Sequence, residues 1–175
     1  MDTELVGRGR QLSDVARALA DAAGGRPRVV SIEGEGGAGK TALARRSLSD
    51  LTVEHHTVAL AGDELTAAVP FATLGPLVDI PFETTVVEAA RLVIGRLAEL
   101  ADAGPLVVLV DDLHWADLAS RQALAIAAGR LEHETVAIVV TARPEHSGVD
   151  DGWARLRNDV GRCVRVRVGE LTADD

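Results

Sequence analysis

The chain has 175 residues, enough for one domain with a real core. Hydrophobic residues make up 47% of it, yet there are two Phe, two Trp and no Tyr, so Ala, Val and Leu must build that core. Scarce aromatics argue against a stacking platform for single-stranded nucleic acid. The formal charge of −9 argues against a surface that binds polyanions as a whole.

Cys163 is the sole cysteine, which excludes an intramolecular disulfide and a thiolate metal cluster; a buried, inert thiol is expected. No apolar run reaches the length of a membrane span, and acids rather than basic residues follow Met1. A soluble, cytoplasmic protein is expected.

The elements follow in chain order. "RQLSDVARALADAAGG" carries Leu12, Val15, Ala16 and Leu19 at helical spacing and stops at Gly24-Gly25. "RVVSIEG" is a strand, followed by a glycine loop and the helical pattern "TALARRSL". "HHTVALAG" is a second strand, and residues 61–70 read as a loop. "FETTVVEAARLVIGRLAELADAG" is a long helix with Val86, Ala90, Val93, Leu97 and Leu100 as its apolar stripe. "LVVLV" after Pro105 is a strand, "LASRQALAIAAGRL" a helix and "TVAIVVTA" a strand. "RPEHSGVDDG" reads as a loop, and "RCVRVRVGEL" as a last, alternating strand.

Alternating strands and helices predict a three-layer α/β/α fold around a five-stranded, mostly parallel sheet. The inner strands are unbroken Val, Ile and Leu, as burial on both faces requires. The last strand is expected at an edge, with Arg165 and Arg167 facing water.

"GEGGAGKT", residues 34–41, fits G-x-x-x-x-G-K-[ST] at every fixed position, with a strand before it and a helix after it. Its chemistry needs backbone N–H groups curled around phosphate oxygens, which glycine permits, and a helix N-terminus aimed at the same phosphates. Gly34, Gly36, Gly37, Ala38, Gly39, Lys40, Thr41 and Ala42 are the candidate phosphate-binding residues. Lys40 reaches the β and γ phosphates, and the Thr41 hydroxyl is a ligand for Mg²⁺.

Such a loop needs a carboxylate on a neighbouring strand to fix the metal. Asp111, at the end of Leu106–Val110, is placed for that. Asp112 would point to the opposite face of a regular strand. If the strand stops there, it can turn to orient or deprotonate an attacking water; the other reading is an acid that caps a turn. His114 has no His or Cys partner at ligand spacing, so a surface or hydrogen-bonding role is expected. Trp115 is expected to pack beneath the site, and Asp117 to N-cap the helix after it. Arg143 would approach the γ-phosphate if its strand lies between the phosphate-loop strand and the Asp111 strand; a plain surface arginine is the alternative.

"ELVGRGRQL", "GEGGAGKTAL", "LVVLVDDLHWADLAS" and "VVTARPE", in this order, resemble the AAA-type ATPase domain of STAND proteins (signal-transduction ATPases with numerous domains). The nearest resemblance is to the large ATP-binding regulators of the LuxR type, and it runs from about Glu4 to the end. It implies the ASCE/AAA-like P-loop NTPase fold with strand order 5-1-4-3-2, and ATP or ADP with Mg²⁺ as cofactors. It implies that Leu5, Val6, Gly7 and Arg8 pass the adenine, that Asp111 and Asp112 form the Walker B pair, and that Arg143 senses the γ-phosphate. Lys40, Asp112 and Arg143 are thus the expected catalytic residues, with Thr41 and Asp111 at the metal.

In that family a helical lid and regulatory and DNA-binding modules follow the position where "GELTADD" stands. Residues 1–175 are therefore read as a single ATP-binding domain without them; an excised domain and a short protein both fit. The expected function is a slow ATP-hydrolysing switch that is able to oligomerise on ATP and does not itself touch nucleic acid or membrane. The rivals are a small-molecule P-loop kinase, an origin-type DNA-associated ATPase and a non-catalytic nucleotide-binding module.

Overall fold

A five-stranded sheet in the order β2-β3-β4-β1-β5 organises the computed structural model, and every neighbouring pair in it is parallel. This is the expected order. The structure describes residues 7–144 and 152–169. The strands are β1 (Arg28–Glu33), β2 (His56–Ala61), β3 (Leu106–Asp111), β4 (Val136–Ala142) and β5 (Cys163–Arg167). The helices are α1 (Gly9–Ala23), α2 (Lys40–Ser49), α3 (Val86–Ala101), α4 (Leu118–Arg130) and the short α5 (Trp153–Arg157).

Side chains alternate across each strand, so the sheet divides the core in two. Val30, Ile32, Val107, Leu109, Ala137 and Val139 meet Val15 and Leu19 of α1 and Leu43 of α2. On the other face Val108, Val110, Ile138 and Val140 meet α3 and α4 through Val93, Leu97 and Leu124. Each fully buried Val, Leu or Ile contributes roughly 1.5–3 kcal/mol. The stripe expected for α3 is largely the buried one, with Ala89 added to Ala90, Val93 and Leu97. That helix starts later than its sequence pattern, at Val86. Thr85 and Glu88 close a reciprocal capping box there, satisfying two helix-start donors.

The edge strand β5 bears out its expectation, with Arg165 and Arg167 both exposed. One contact is added to it: Arg165 Nη2 also donates to Glu33 Oε2 at 3.0 Å. Alternation places Val164 and Val166 against the α1 side, so Cys163, Arg165 and Arg167 take the α5 side. Cys163 is buried as expected, and burial pushes its thiol up to about 11, so it stays protonated at neutral pH. The sequence pattern also misses α5, whose five residues are too few to show a period.

Candidate functional site

All five strands end at one rim, where open α/β sheets bind ligands. After β1 the chain turns through Gly34–Gly39 and enters α2 at Lys40. Gly37 and Gly39 have φ of +78° and +87°, a region that costs other residues about 1–2 kcal/mol. Gly34 is required for space, since a Cβ there would lie 2.4 Å from the Val168 carbonyl oxygen. Lys40 is buried, and its Nζ donates to the Glu35 carbonyl oxygen at 2.8 Å, across the loop. Ala38 is half-buried at the loop's crest, and Ala42 lies exposed in the first turn of α2.

Asp111 ends β3, and its Oδ1 accepts two hydroxyls. Thr41 Oγ1 donates at 2.8 Å from the start of α2, and Thr141 Oγ1 at 2.6 Å from β4. Thr141 is fully buried, and its oxygen also accepts the Asp112 N–H at 2.9 Å. One hydroxyl thus fixes both the side chain of Asp111 and the backbone of Asp112.

β3 does stop at Asp111. Asp112 has φ 49° and ψ 50°, and a 3-10 turn, Leu113–Trp115, follows it. Its carboxylate makes no capping bond to that turn and remains half-exposed. The turn-capping reading therefore loses its main support.

Of the two roles expected for His114, the surface one is excluded. It is buried, in ring contact with Trp115 and with Nδ1 3.9 Å from Asp112 Oδ1. Asp117 caps α4 through Ser120 N–H at 2.8 Å, as expected, but it also accepts the N–H groups of Phe71 and Thr73. Burial pushes its carboxyl up; the hydrogen bonds from Ser120, Thr73 and Phe71 outweigh that and leave it below the ordinary value.

Asp117 thus ties the connection between β2 and α3 to the turn after β3. Gly62 completes the tie: its N–H donates to the Asp111 carbonyl at 2.9 Å. A Cβ on Gly62 would lie 2.3 Å from Asp112 O and 2.4 Å from Ala116 N.

β4 lies between β1 and β3, the condition under which Arg143 approaches the loop. Its Nη2 would lie 3.5 Å from a Cβ on Gly36, so the guanidinium rests against the glycine loop. At the N-terminal side, Gly7 has φ +79° and Arg8 is buried. Arg8 Nη2 donates to the Gly169 carbonyl oxygen at 2.6 Å, strapping the start of α1 to the chain leaving β5. Leu5 and Val6, the expected adenine-reading residues, lie outside the described residues.

The structure brings Lys40, Thr41, Asp111, Asp112 and Arg143 to one rim. Sequence reasoning missed the bridging part of Thr141 and the close approach at Gly62. Thr141 is the last residue but one of β4, yet its link to Asp111 exists only because β3 and β4 pair.

This geometry defines a P-loop nucleotide-binding fold. Residues 4–91, about half of the sequence, match the model of the AAA ATPase domain family, and the chain belongs to that family. No curated protein matches it by sequence. Among solved structures, Cdc6p from Pyrobaculum aerophilum aligns with a TM-score of 0.67 at 16% identity, over 98% of this chain and 48% of that one. Drosophila ORC bound to DNA aligns with a TM-score of 0.59 at 14% identity, over 96% and 44%. The ORC2 protein of Aeropyrum pernix, solved as ADPNP–ADP complexes, gives 0.57 at 14%, over 95% and 48%. At these identities the likeness is one of fold. The chain spans about half the length of the solved proteins it matches.

Proposed function

We propose that this AAA ATPase domain is an ATP-binding, slowly ATP-hydrolysing switch of the STAND type, from a LuxR-type transcriptional regulator working in the cytoplasm. One observation carries the nucleotide reading: Thr41 and Asp111, from the loop and from β3, already meet at 2.8 Å. A loop hydroxyl and a strand carboxylate converging beside an α2 N-terminus form the donor set that Mg²⁺-ATP requires, with hard oxygen ligands. Thr41 and Asp111 would hold the metal, which would supply positive charge against the phosphates. The positive-φ glycines let the loop curl so that backbone N–H groups can turn towards the phosphates, and Lys40 supplies a cation already drawn against the loop.

Asp112, half-exposed and free of the turn's capping bonds, is the group to orient or deprotonate water. Arg143, resting against Gly36, would stabilise γ-phosphate charge in cis. Gly7 and Arg8, with Leu5 and Val6, are proposed for the adenine side; Arg8 there acts through its hold on Gly169. The regulator reading rests on the "DDLHWAD" and "TAR" segments and implies downstream modules as partners. Oligomerisation on ATP binding belongs to the same reading.

A second reading has one observation in its favour. The solved proteins of similar fold include an ORC bound to DNA, which suggests an origin-type ATPase. The charge of −9 weighs against it. Among the described residues no helix is long and apolar enough to cross a membrane, so neither reading calls on one.

Calorimetry of the chain with ATP, ADP and GTP, with and without Mg²⁺, tests the site. Lys40→Ala is expected to abolish detectable ATP binding; unchanged affinity would refute the phosphate-loop assignment. Salt-dependent binding of duplex DNA by the isolated chain would favour the origin-type reading over the regulator.

A further inference from the structure

A cavity of about 490 Å³ opens beside the first residues of the phosphate loop, on the side of the sheet that carries α5. Its wall is built around Glu33, the last residue of β1, which is only 4% exposed. The Glu33 carboxylate accepts Ser31 Oγ at 3.0 Å and Arg165 Nη2 at 3.0 Å, and pairs with Arg157 Nη1 at 3.5 Å. Two guanidiniums therefore share one buried carboxylate, and Arg167, two residues along the same face of β5, brings a third to the lining. Exposed Glu35 is the other acid there. Three guanidiniums against two carboxylates make a local reversal of charge in a chain that carries −9 overall.

A surface ion pair alone needs none of this arrangement. Long arginine side chains lose considerable rotamer entropy when held, and exposed pairs return little for it. Here Glu33 holds Arg165 from beneath, which leaves a pre-set guanidinium plane at the cavity wall. Guanidinium forks match carboxylate and phosphate oxygens in pairs. Pro144, Ala154 and the arginine stems supply apolar lining, and the volume is in the range that takes a small organic molecule.

We propose that this cavity binds a small organic anion: an apolar body bearing a carboxylate or phosphate group that pairs with Arg165 and Arg167. The site is separate from the nucleotide loop but touches it. Glu33 precedes Gly34, and Gly34 is in close contact with Val168 on the cavity wall. An occupant is thus placed to act as an effector on the loop. The proposal does not rest on the nucleotide reading.

Two probes with the same ring separate the two anionic groups: phthalate and phenyl phosphate. Each is titrated at low salt into the wild-type chain saturated with ADP and Mg²⁺, and into the Lys40→Ala chain. Calorimetry and amide chemical shifts are the readouts. One probe is expected to saturate in both proteins with a Kd on the order of 1 mM or tighter, with shifts at Glu33 and Val168. Arg167→Glu, a change at an exposed position, is expected to weaken it at least tenfold while leaving the fold intact by circular dichroism; Arg165→Gln should do the same.

Failure of both probes to saturate in both proteins overturns the proposal. So does an affinity that Arg167→Glu leaves unchanged, or shifts spread over all surface arginines. If wild type binds no ADP but the probe still saturates in Lys40→Ala, the nucleotide reading fails and this one stands.

Discussion

Two turns leave the same rim of the sheet and are held by opposite means. The phosphate loop, Gly34–Gly39, is shaped by what is missing: positive-φ glycines at 37 and 39, and no Cβ at 34. The turn after β3, Asp112–Asp117, is shaped by what is present. Thr141 holds its first backbone N–H, Asp117 draws in the N–H groups of Phe71, Thr73 and Ser120, and Gly62 packs against it. The first turn is a cradle with room for a ligand. The second is a rigid mount for carboxylates. The contrast shows why one motif consists of glycines and the other of acids, Trp and His.

The largest expected effect separates chemistry from mounting within the second turn. Asp112→Asn should keep Mg²⁺-ATP binding by calorimetry while slowing hydrolysis roughly 10²-fold or more, the scale of a lost general base. Unaffected turnover would make Asp112 a part of the mount only.

Gly62→Ala comes next. Its added methyl meets backbone atoms of Asp112, Trp115 and Ala116 that cannot swing aside. A loss of about 3 kcal/mol, from overpacking, is expected in urea unfolding. A near-neutral result would mean that the connection from β2 is free to shift away from the turn.

Asp117→Ala removes a helix cap and strands the Phe71 and Thr73 N–H groups, and should cost about 2 kcal/mol. The same carboxyl makes a pH prediction. Its folded pKa lies below the unfolded value, so its contribution is complete above roughly pH 4. It disappears as pH falls through the folded value. Glu33, which burial raises but Arg165, Ser31 and Arg157 lower further, acts in the same direction. Unfolding curves between about pH 2 and 6 should therefore show a shallower acid loss in Asp117→Asn than in wild type; parallel curves would remove Asp117 from the account.

The smallest effect returns to the loop. Gly37→Ala meets nothing within 4 Å, so only its φ of +78° opposes it, at about 1 kcal/mol. If Gly37→Ala destabilised the chain as much as Gly62→Ala, the distinction between cradle and mount would collapse.

Local chemistry made much of the molecule readable in advance. The β1–loop–α2 unit was legible because a phosphate loop needs its glycines, Lys40 and Thr41 at set intervals along one stretch of chain. Strand order was what the resemblance to the AAA-type ATPase domain implied, and the motifs alone left the approach of Arg143 conditional on β4 lying between β1 and β3, as it does. Asp117 was readable as a cap because capping spans three residues. Its hold on Phe71 and Thr73 was not, because those donors lie more than 40 residues away. Burial of His114 was likewise not legible in the local pattern.

By itself the sequence determined the nucleotide loop, the buried inner strands and the residues able to face a phosphate. These depend on neighbours in the chain, on periodicity and on side-chain chemistry. Only the tertiary structure decided that Thr141 would share Asp111 with Thr41, that Gly62 would admit no side chain, and that Arg165 would turn back over Glu33. Each of these requires two strands or connections distant in the chain to lie within a hydrogen bond's length, and only the packed sheet enforces that.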